Sequence, residues 1–276
     1  MATRIAFQGE PGAFSEMAAL RYFPNAKLMP QKSFHDVFDI AERGDVEYAV
    51  VPVENSIEGS INENYDLLLQ TKMRVVGEIY QRVRQCLITN KNSDRIKFVY
   101  SHPQALAQCR GYLQKHGLEA MPAYDTAGAV KMIKEKEMKD SAAIASKRAA
   151  ELYDMEIIQE GIEDKKNNYT RFLVLSGTEK ETDKVETGSK YKTSVIFSVK
   201  HVPGALNEIL GEFAVRQINL TKIESRPTKE TPWEYNFYVD VEGNLCDKVL
   251  FEALESVRLK TSYIKILGSY NKAEFQ

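Results

Sequence analysis

The sequence predicts an α/β fold in two parts, and three observations carry that reading. Between residues 4 and 175 short apolar runs alternate with stretches of helical period; between 176 and 192 apolar residues nearly vanish; beyond 192 a compact series reads strand, helix, strand, strand, helix, strand. The alternation suits a largely parallel sheet, because every parallel connection must cross back over the sheet, usually as a helix. The final series has the βαββαβ order of the ferredoxin-like arrangement.

Strands are expected where short apolar runs stand between turn residues, at 4–8, 48–52, 74–79, 97–101, 142–145 and 170–175. Helices are expected at 15–22, 33–42, 61–69, 103–116, 126–136 and 146–153, where the apolar spacing lengthens. The stretch carrying Glu179, Lys180, Glu181, Thr182, Asp183, Lys184, Glu186, Gly188 and Ser189 has almost nothing to fill a core, so 179–191 is predicted as a linker between domains at 1–178 and 192–276. In the second domain strands are expected at 193–199, 219–225, 235–241 and 263–267, and helices at 204–216 and 247–257. Leu206, Ile209, Leu210 and Phe213 fall on one face of the first helix, and Val249, Leu250, Ala253, Leu254 and Val257 on one face of the second. Both faces should cover one side of a sheet. About 80 residues do not supply a third layer, so a second copy is the expected cover for the other side, and at least a dimer follows.

Composition narrows the function classes. With 37 Lys and Arg against 39 Asp and Glu the net charge is −2, which provides no field for nucleic acid or anionic lipid. The apolar run at 48–53 is far short of the roughly 20 residues that span a bilayer. Arg4 is followed at once by Gln8, Gly9 and Glu10, unlike a signal peptide, so a cytoplasmic location is expected. Cys86, Cys109 and Cys246 are scattered and read as reduced thiols. A phosphate loop, GxGxxG, HExxH and GxSxG are all missing, and the four histidines stand far apart, so chemistry on a small molecule without metal or cofactor is expected.

Four turns link a strand to a helix opened by a small polar residue: Gly9 to Ser15, Glu54 to Ser60, Ser101-His102-Pro103-Gln104, and Asp125-Thr126. At the carboxyl edge of an open sheet such turns present free N–H groups that favour an anion. Ordinary helix capping asks for the same residues. Glu54-Asn55-Ser56 exceeds what one cap requires, because a carboxylate, an amide and a hydroxyl follow the apolar strand directly. Asn168-Tyr169-Thr170-Arg171-Phe172 places a hydroxyl, a permanent cation and a ring before the last apolar run, where a solvated strand start is the other reading. His102 is a general-base candidate or a turn residue.

Taken together these motifs resemble the prephenate dehydratases and are also very similar to the arogenate dehydratases of plants. Six blocks stand in family order: 8–15, 51–60, 64–69, 101–109, 170–172 and 221–227. The resemblance implies a catalytic region of periplasmic-binding-protein type, its second lobe at about 81–160, followed by an ACT regulatory domain. It implies that prephenate loses water and carbon dioxide to give phenylpyruvate, with arogenate as the alternative substrate and a silent amino-acid-sensing binding protein as the reading from another class. The family's catalytic roles carry over to Thr170, Asn55 and Gln108. Substrate contacts carry over to Arg171, Phe172, Glu54, Ser56, Gly59, Ser60, Ser15, Ser101, His102, Gln104 and Thr126. An L-phenylalanine effector site is implied at Gly204, Ala205, Leu206, Asn219, Leu220, Glu224, Ser225, Arg226 and Pro227. A homodimer through the ACT domains and a homotetramer overall are implied as well, with no nucleic-acid or membrane partner. Because the first strand starts by Arg4, a monofunctional chain without a chorismate mutase segment is expected.

Overall fold

In the computed structural model of the protein, residues 2–177, 190–229 and 233–274 are described. The expected linker at 179–191 lies outside them as far as residue 189.

The chain runs β1 (Arg4–Gln8), α1 (Phe14–Tyr22), β2 (Lys27–Gln31), α2 (Phe34–Glu42), β3 (Tyr48–Asn55), β4 (Gly59–Ser60), α3 (Asn62–Gln70) and β5 (Arg74–Arg82). Next come β6 (Cys86–Thr89), β7 (Phe98–Ser101), α4 (Pro103–Gln108), α5 (Arg110–His116), β8 (Glu119–Pro122), α6 (Thr126–Glu135), β9 (Ser141–Ala145), α7 (Lys147–Leu152), β10 (Glu156–Glu160) and β11 (Tyr169–Ser176). The last stretch holds β12 (Tyr191–Ser198), α8 (Ala205–Ala214), β13 (Leu220–Pro227), β14 (Tyr235–Glu242), α9 (Lys248–Lys260) and β15 (Tyr263–Asn271). Two compact units result: Met1–Gly59 with Tyr80–Phe172, and Ser60–Ile79 with Leu173–Gln276.

The first unit holds two sheets. One has β2, β1 and β3 side by side and parallel, continued by β11 and β5, which bring residues 169–172 and 80–82 into this unit. Ile5, Ala6 and Phe7 are fully buried in succession, as a strand covered on both faces requires. The other sheet has the order β10-β6-β9-β7-β8. Alternation along its strands feeds two cores: Cys86, Ile88, Ala143 and Ala145 pack on α6 and α7, while Leu87, Ala142 and Ile144 pack on α4 and α5. The expected parallel arrangement holds only in part, since β6 pairs antiparallel with both β9 and β10.

The helix expected over 103–116 is broken at Cys109, which separates α4 from α5. The Gln108 carbonyl accepts from the Asp164 N–H at 2.8 Å, so an outside partner takes a group the helix would otherwise use.

In the second unit β13-β14-β12-β15 form an antiparallel sheet with the predicted βαββαβ connectivity. Val195, Phe197, Val239 and Val241 meet Ile209, Phe213, Leu250, Leu254 and Val257 of the two helices. The opposite face is where expectation and structure part. Residues 60–79 of the same chain pack there: the Tyr238 hydroxyl donates to the Tyr65 carbonyl at 2.9 Å, and Lys192 meets Glu78 at 3.0 Å. The Lys265 ammonium donates to the carbonyls of Leu68, Leu69 and Thr71 at the end of α3, where a cation suits the helix dipole. The need for cover was real, but the chain itself meets it over this region instead of a second copy.

Candidate functional site

β3 ends on Asn55, whose side chain closes the following turn: Oδ1 accepts from the N–H groups of Ile57 at 3.0 Å and Glu58 at 3.1 Å. The amide nitrogen therefore points the other way. It donates to Asn168 Oδ1 at 2.7 Å and to Thr170 Oγ1 at 3.1 Å, with the Tyr169 carbonyl at 3.3 Å. An amide side chain supplies an acceptor to one segment and two N–H donors to another, which an ionised Asp, an acceptor alone, does not. Ser56 holds the two segments in register: its N–H donates to the Tyr169 carbonyl at 2.8 Å, and its hydroxyl donates to the Asn167 carbonyl at 3.1 Å and accepts from the Tyr169 N–H at 2.9 Å.

Asn168 is fully buried and extends the network, its Nδ2 donating to Gln108 Oε1 at 3.1 Å. Gln108 in turn donates to Glu58 Oε1 at 3.4 Å. The break at Cys109 leaves Gln108 at the last turn of α4, from which its side chain reaches this network. Glu58, Gln108 and Asn168 also line a cavity of about 160 Å³ with Ile57, Glu163, Asp164 and Lys165. Thr170 accepts from Asn55, so its own hydroxyl proton stays available for donation, and accepting one bond strengthens the next.

Asn55, Ser56, Gln108 and Thr170 are thus brought together. Asn168, Glu58, Glu163 and Lys165 were absent from the sequence-predicted set. Asn168 stood in the motif beside Thr170, but its partner Asn55 lies 113 residues away, and no local spacing reveals that pairing.

The other predicted residues adjoin this network or make contacts of their own. Arg171 is buried, and strand alternation directs it to the face opposite Thr170 and Phe172. Ser15 lies inside the first turn of α1; the N-cap is Ala13, without a side-chain cap, and Glu16 Oε2 takes the Gly12 N–H at 2.6 Å. The Ser101 hydroxyl is buried and donates to the Ile144 carbonyl at 2.6 Å, within the second sheet. His102 caps α4 by accepting from the Gln104 N–H at 3.2 Å, the turn reading of that residue. Thr126 is the first residue of α6, whose cap is Asp125. Glu54 precedes Asn55 on β3, and Gly59 takes a φ of +83°. Ser60 belongs to the second unit, where its hydroxyl donates to Glu224 Oε2 at 2.5 Å.

The predicted effector residues divide into two groups. Gly204 caps α8 with φ +86°, a conformation that favours glycine, and Ala205 and Leu206 line a cavity of about 380 Å³ with Val199, His201, Pro203, Trp233, Tyr235 and Phe237. The others lie along and just before edge strand β13. Leu220 opens it, the Asn219 amide donates to Glu242 at 3.3 Å, Glu224 and Arg226 share the face toward α3, and Ser225 and Pro227 are on the other. The cavity's aromatic side was not among the predicted residues, although Trp233 is the chain's only tryptophan.

Family models match both parts of the chain. The prephenate dehydratase family model matches residues 5–180, more than half of the chain, and the ACT domain model matches 193–258. An arogenate dehydratase/prephenate dehydratase of Arabidopsis thaliana is 43% identical over 278 residues, covering 97% of this chain and 72% of the relative. A solved prephenate dehydratase from Arthrobacter aurescens in complex with L-Phe superposes with a TM-score of 0.89 at 28% identity, covering 98% of this chain and 90% of that one. A structure described as GqqA, a novel type of quorum quenching acylase, gives 0.90 at 33% identity, covering 98% of both chains. With its dehydratase region and ACT domain in that order, the chain belongs to the prephenate dehydratase family.

Proposed function

We propose that this protein converts prephenate to phenylpyruvate, water and carbon dioxide, and that L-phenylalanine regulates it through the ACT domain. The observation that carries the reading is the Asn55 to Thr170 contact at 3.1 Å inside a continuous amide network. Breaking the bond between the ring and the departing carboxylate sends an electron pair into the ring, which expels the allylic hydroxyl as the ring becomes aromatic. Thr170 donates a hydrogen bond that strengthens as negative charge grows on that oxygen, and the departing hydroxide takes up a proton from solvent, directly or relayed through the Thr170 hydroxyl, to leave as water. Aromatisation supplies the driving force, so orientation of the substrate is most of the task.

The cavity beside Gln108 is lined by three carboxylates and one lysine, a lining that repels a dianion. The substrate carboxylates are better served at the start of α1, where first-turn N–H groups have no side-chain cap and Ser15 stands among them. β1 and β3 are parallel neighbours, so α1 opens on the same sheet edge as Asn55. The clamp role that the resemblance implies for Arg171 belongs to the proposal as well, from the strand face opposite Thr170. Phe172, Glu54, Ser56 and Gly59 are included as further substrate contacts on the family resemblance.

The catalytic region is assigned to 1–178 and the regulatory one to 192–276, working as a cytoplasmic homodimer. Edge strand β13 with half-exposed Ile223 and exposed Val215 supports pairing through the ACT domains.

The test is an assay of the purified chain with prephenate and arogenate in parallel, scored for phenylpyruvate and phenylalanine, with an N-acyl amide as a third arm. Phenylpyruvate from prephenate upholds the reading. Preference for arogenate would move the substrate, and amide cleavage alone would overturn the assignment. Acyl transfer by Thr170 would need a base to take its proton, whereas the partner observed is an amide donor.

A further inference from the structure

Segment 60–66 follows directly on the catalytic turn at 55–58, and it is tied to β13 by charge. Ser60 donates to Glu224 Oε2 at 2.5 Å, and Lys222 donates to the same hydroxyl at 3.3 Å. Arg226 contacts Asp66 at 3.3 Å, and Lys229 does so at 2.6 Å. Burial works to raise the Asp66 carboxyl, but its bonds from Lys229 and Arg226 outweigh that and hold it below its ordinary value. Between the turn and Ser60 stands only Gly59, at φ +83° with nothing within 4 Å of where a Cβ would sit. Gly59 and Ser60 form β4, which pairs with β3, so the turn's outgoing end is positioned by that short ladder together with what holds the Ser60 side chain.

We propose that Glu224 and Arg226 form a latch on residues 60–66, and that an amino-acid effector engaging these two side chains has to release it. The inference rests on the effector reading above. An α-amino acid presents an ammonium that seeks a carboxylate and a carboxylate that seeks a guanidinium. Glu224 and Arg226 offer both, two residues apart on one strand face, and both are already committed to Ser60 and Asp66. Effector and latch compete for the same groups. Occupancy by one weakens the other, and by linkage the weakening is equal in both directions. Releasing the Ser60 side chain leaves only the short β4–β3 pairing to hold the end of the turn that presents Asn55, so binding at β13 loosens it and lowers turnover. Ser60 is accordingly a positioning residue and not a substrate contact.

The competition gives a sign that a merely structural role would not. In Ser60→Ala and in Asp66→Asn one competitor is gone, so L-phenylalanine should bind about two- to tenfold tighter by calorimetry, the range expected for losing one such hydrogen bond. Turnover without phenylalanine should fall, in the direction that adding phenylalanine moves the unmodified protein. Ser60→Thr, which keeps the hydroxyl, should restore both values. Asp66→Asn carries the test if Ser60→Ala does not fold, and it touches no predicted substrate contact. Unchanged or weaker phenylalanine affinity in a folded variant overturns the latch. Failure of the unmodified protein to bind phenylalanine or to consume prephenate would instead overturn the function on which the latch is built.

Discussion

Thr170 and Asn55 divide one task between a reacting hydroxyl and the amide that holds it. Thr170→Ala should lower turnover by about 10²-fold, the scale for losing one placed donor, with an unchanged circular dichroism spectrum. Asn55→Asp is the sharper probe. It keeps the Oδ1 acceptor that closes the turn on Ile57 and Glu58 but replaces the amide donor with a carboxylate facing Asn168 and Thr170. Turnover should fall at least as far as in Thr170→Ala; near-normal activity would remove the network from the mechanism. A surface pair gives a pH test at the same scale. The hydrogen bonds from the Arg4 side chain and backbone hold the Glu47 carboxyl at about 2, against an ordinary 4.5. A lowered folded-state value means that the contribution is fully present above pH 4.5 and is lost as pH falls toward about 2. Glu47→Gln should therefore flatten the fall of Tm over that window, as read by thermal melts across the pH series.

Among the elements, β15 shows why a position can demand glycine. Gly268 has φ +147°, and a Cβ there would lie 2.3 Å from the Val75 carbonyl oxygen, where the register between β12 and β15 shifts. Gly268→Ala should cost about 1–3 kcal/mol or more, seen as a lower urea midpoint at constant slope. Three of the elements that escaped the sequence reading share a cause. β2, β8 and β10 are sheet-edge strands bearing charged residues and prolines, Pro30 and Pro122 among them, so their apolar signal is diluted. β6 is interior but only four residues long, too short for a period to be counted. The helix over 103–116 had the right extent and the wrong continuity, because the partner of the Gln108 carbonyl comes from residue 164.

For the whole molecule the consequential finding is that residues 60–79 pack with the ACT sheet in one unit. Lys192 and Glu78 form an ion pair with side chains 4% and 0% exposed. Removing one partner strands a buried charge, so Lys192→Met should destabilise by about 3–5 kcal/mol in denaturant titration, whereas pairing it with Glu78→Leu should recover much of the loss. Ending the chain at Gly177 goes further, because it strips Tyr238, Lys192 and Lys265 from the segment they hold. That fragment should bind a hydrophobic dye and unfold without a sharp transition; a cooperative melt would show that 60–79 stands without the sheet.

The sequence by itself determined the α/β class, the βαββαβ connectivity of the second part, and the identity of Asn55, Gln108 and Thr170 as residues of interest. Those properties are carried by period, by turn chemistry and by motifs read within a few residues of one another. Tertiary structure alone decided which groups meet: that Asn168 bridges Asn55 and Gln108, that Ser101 is spent on Ile144, and that Ser60 answers to Glu224. Hydrogen bonds between groups 43 to 164 residues apart leave no local trace, since each partner also suits an ordinary cap or turn until the fold brings the other within 3 Å or so.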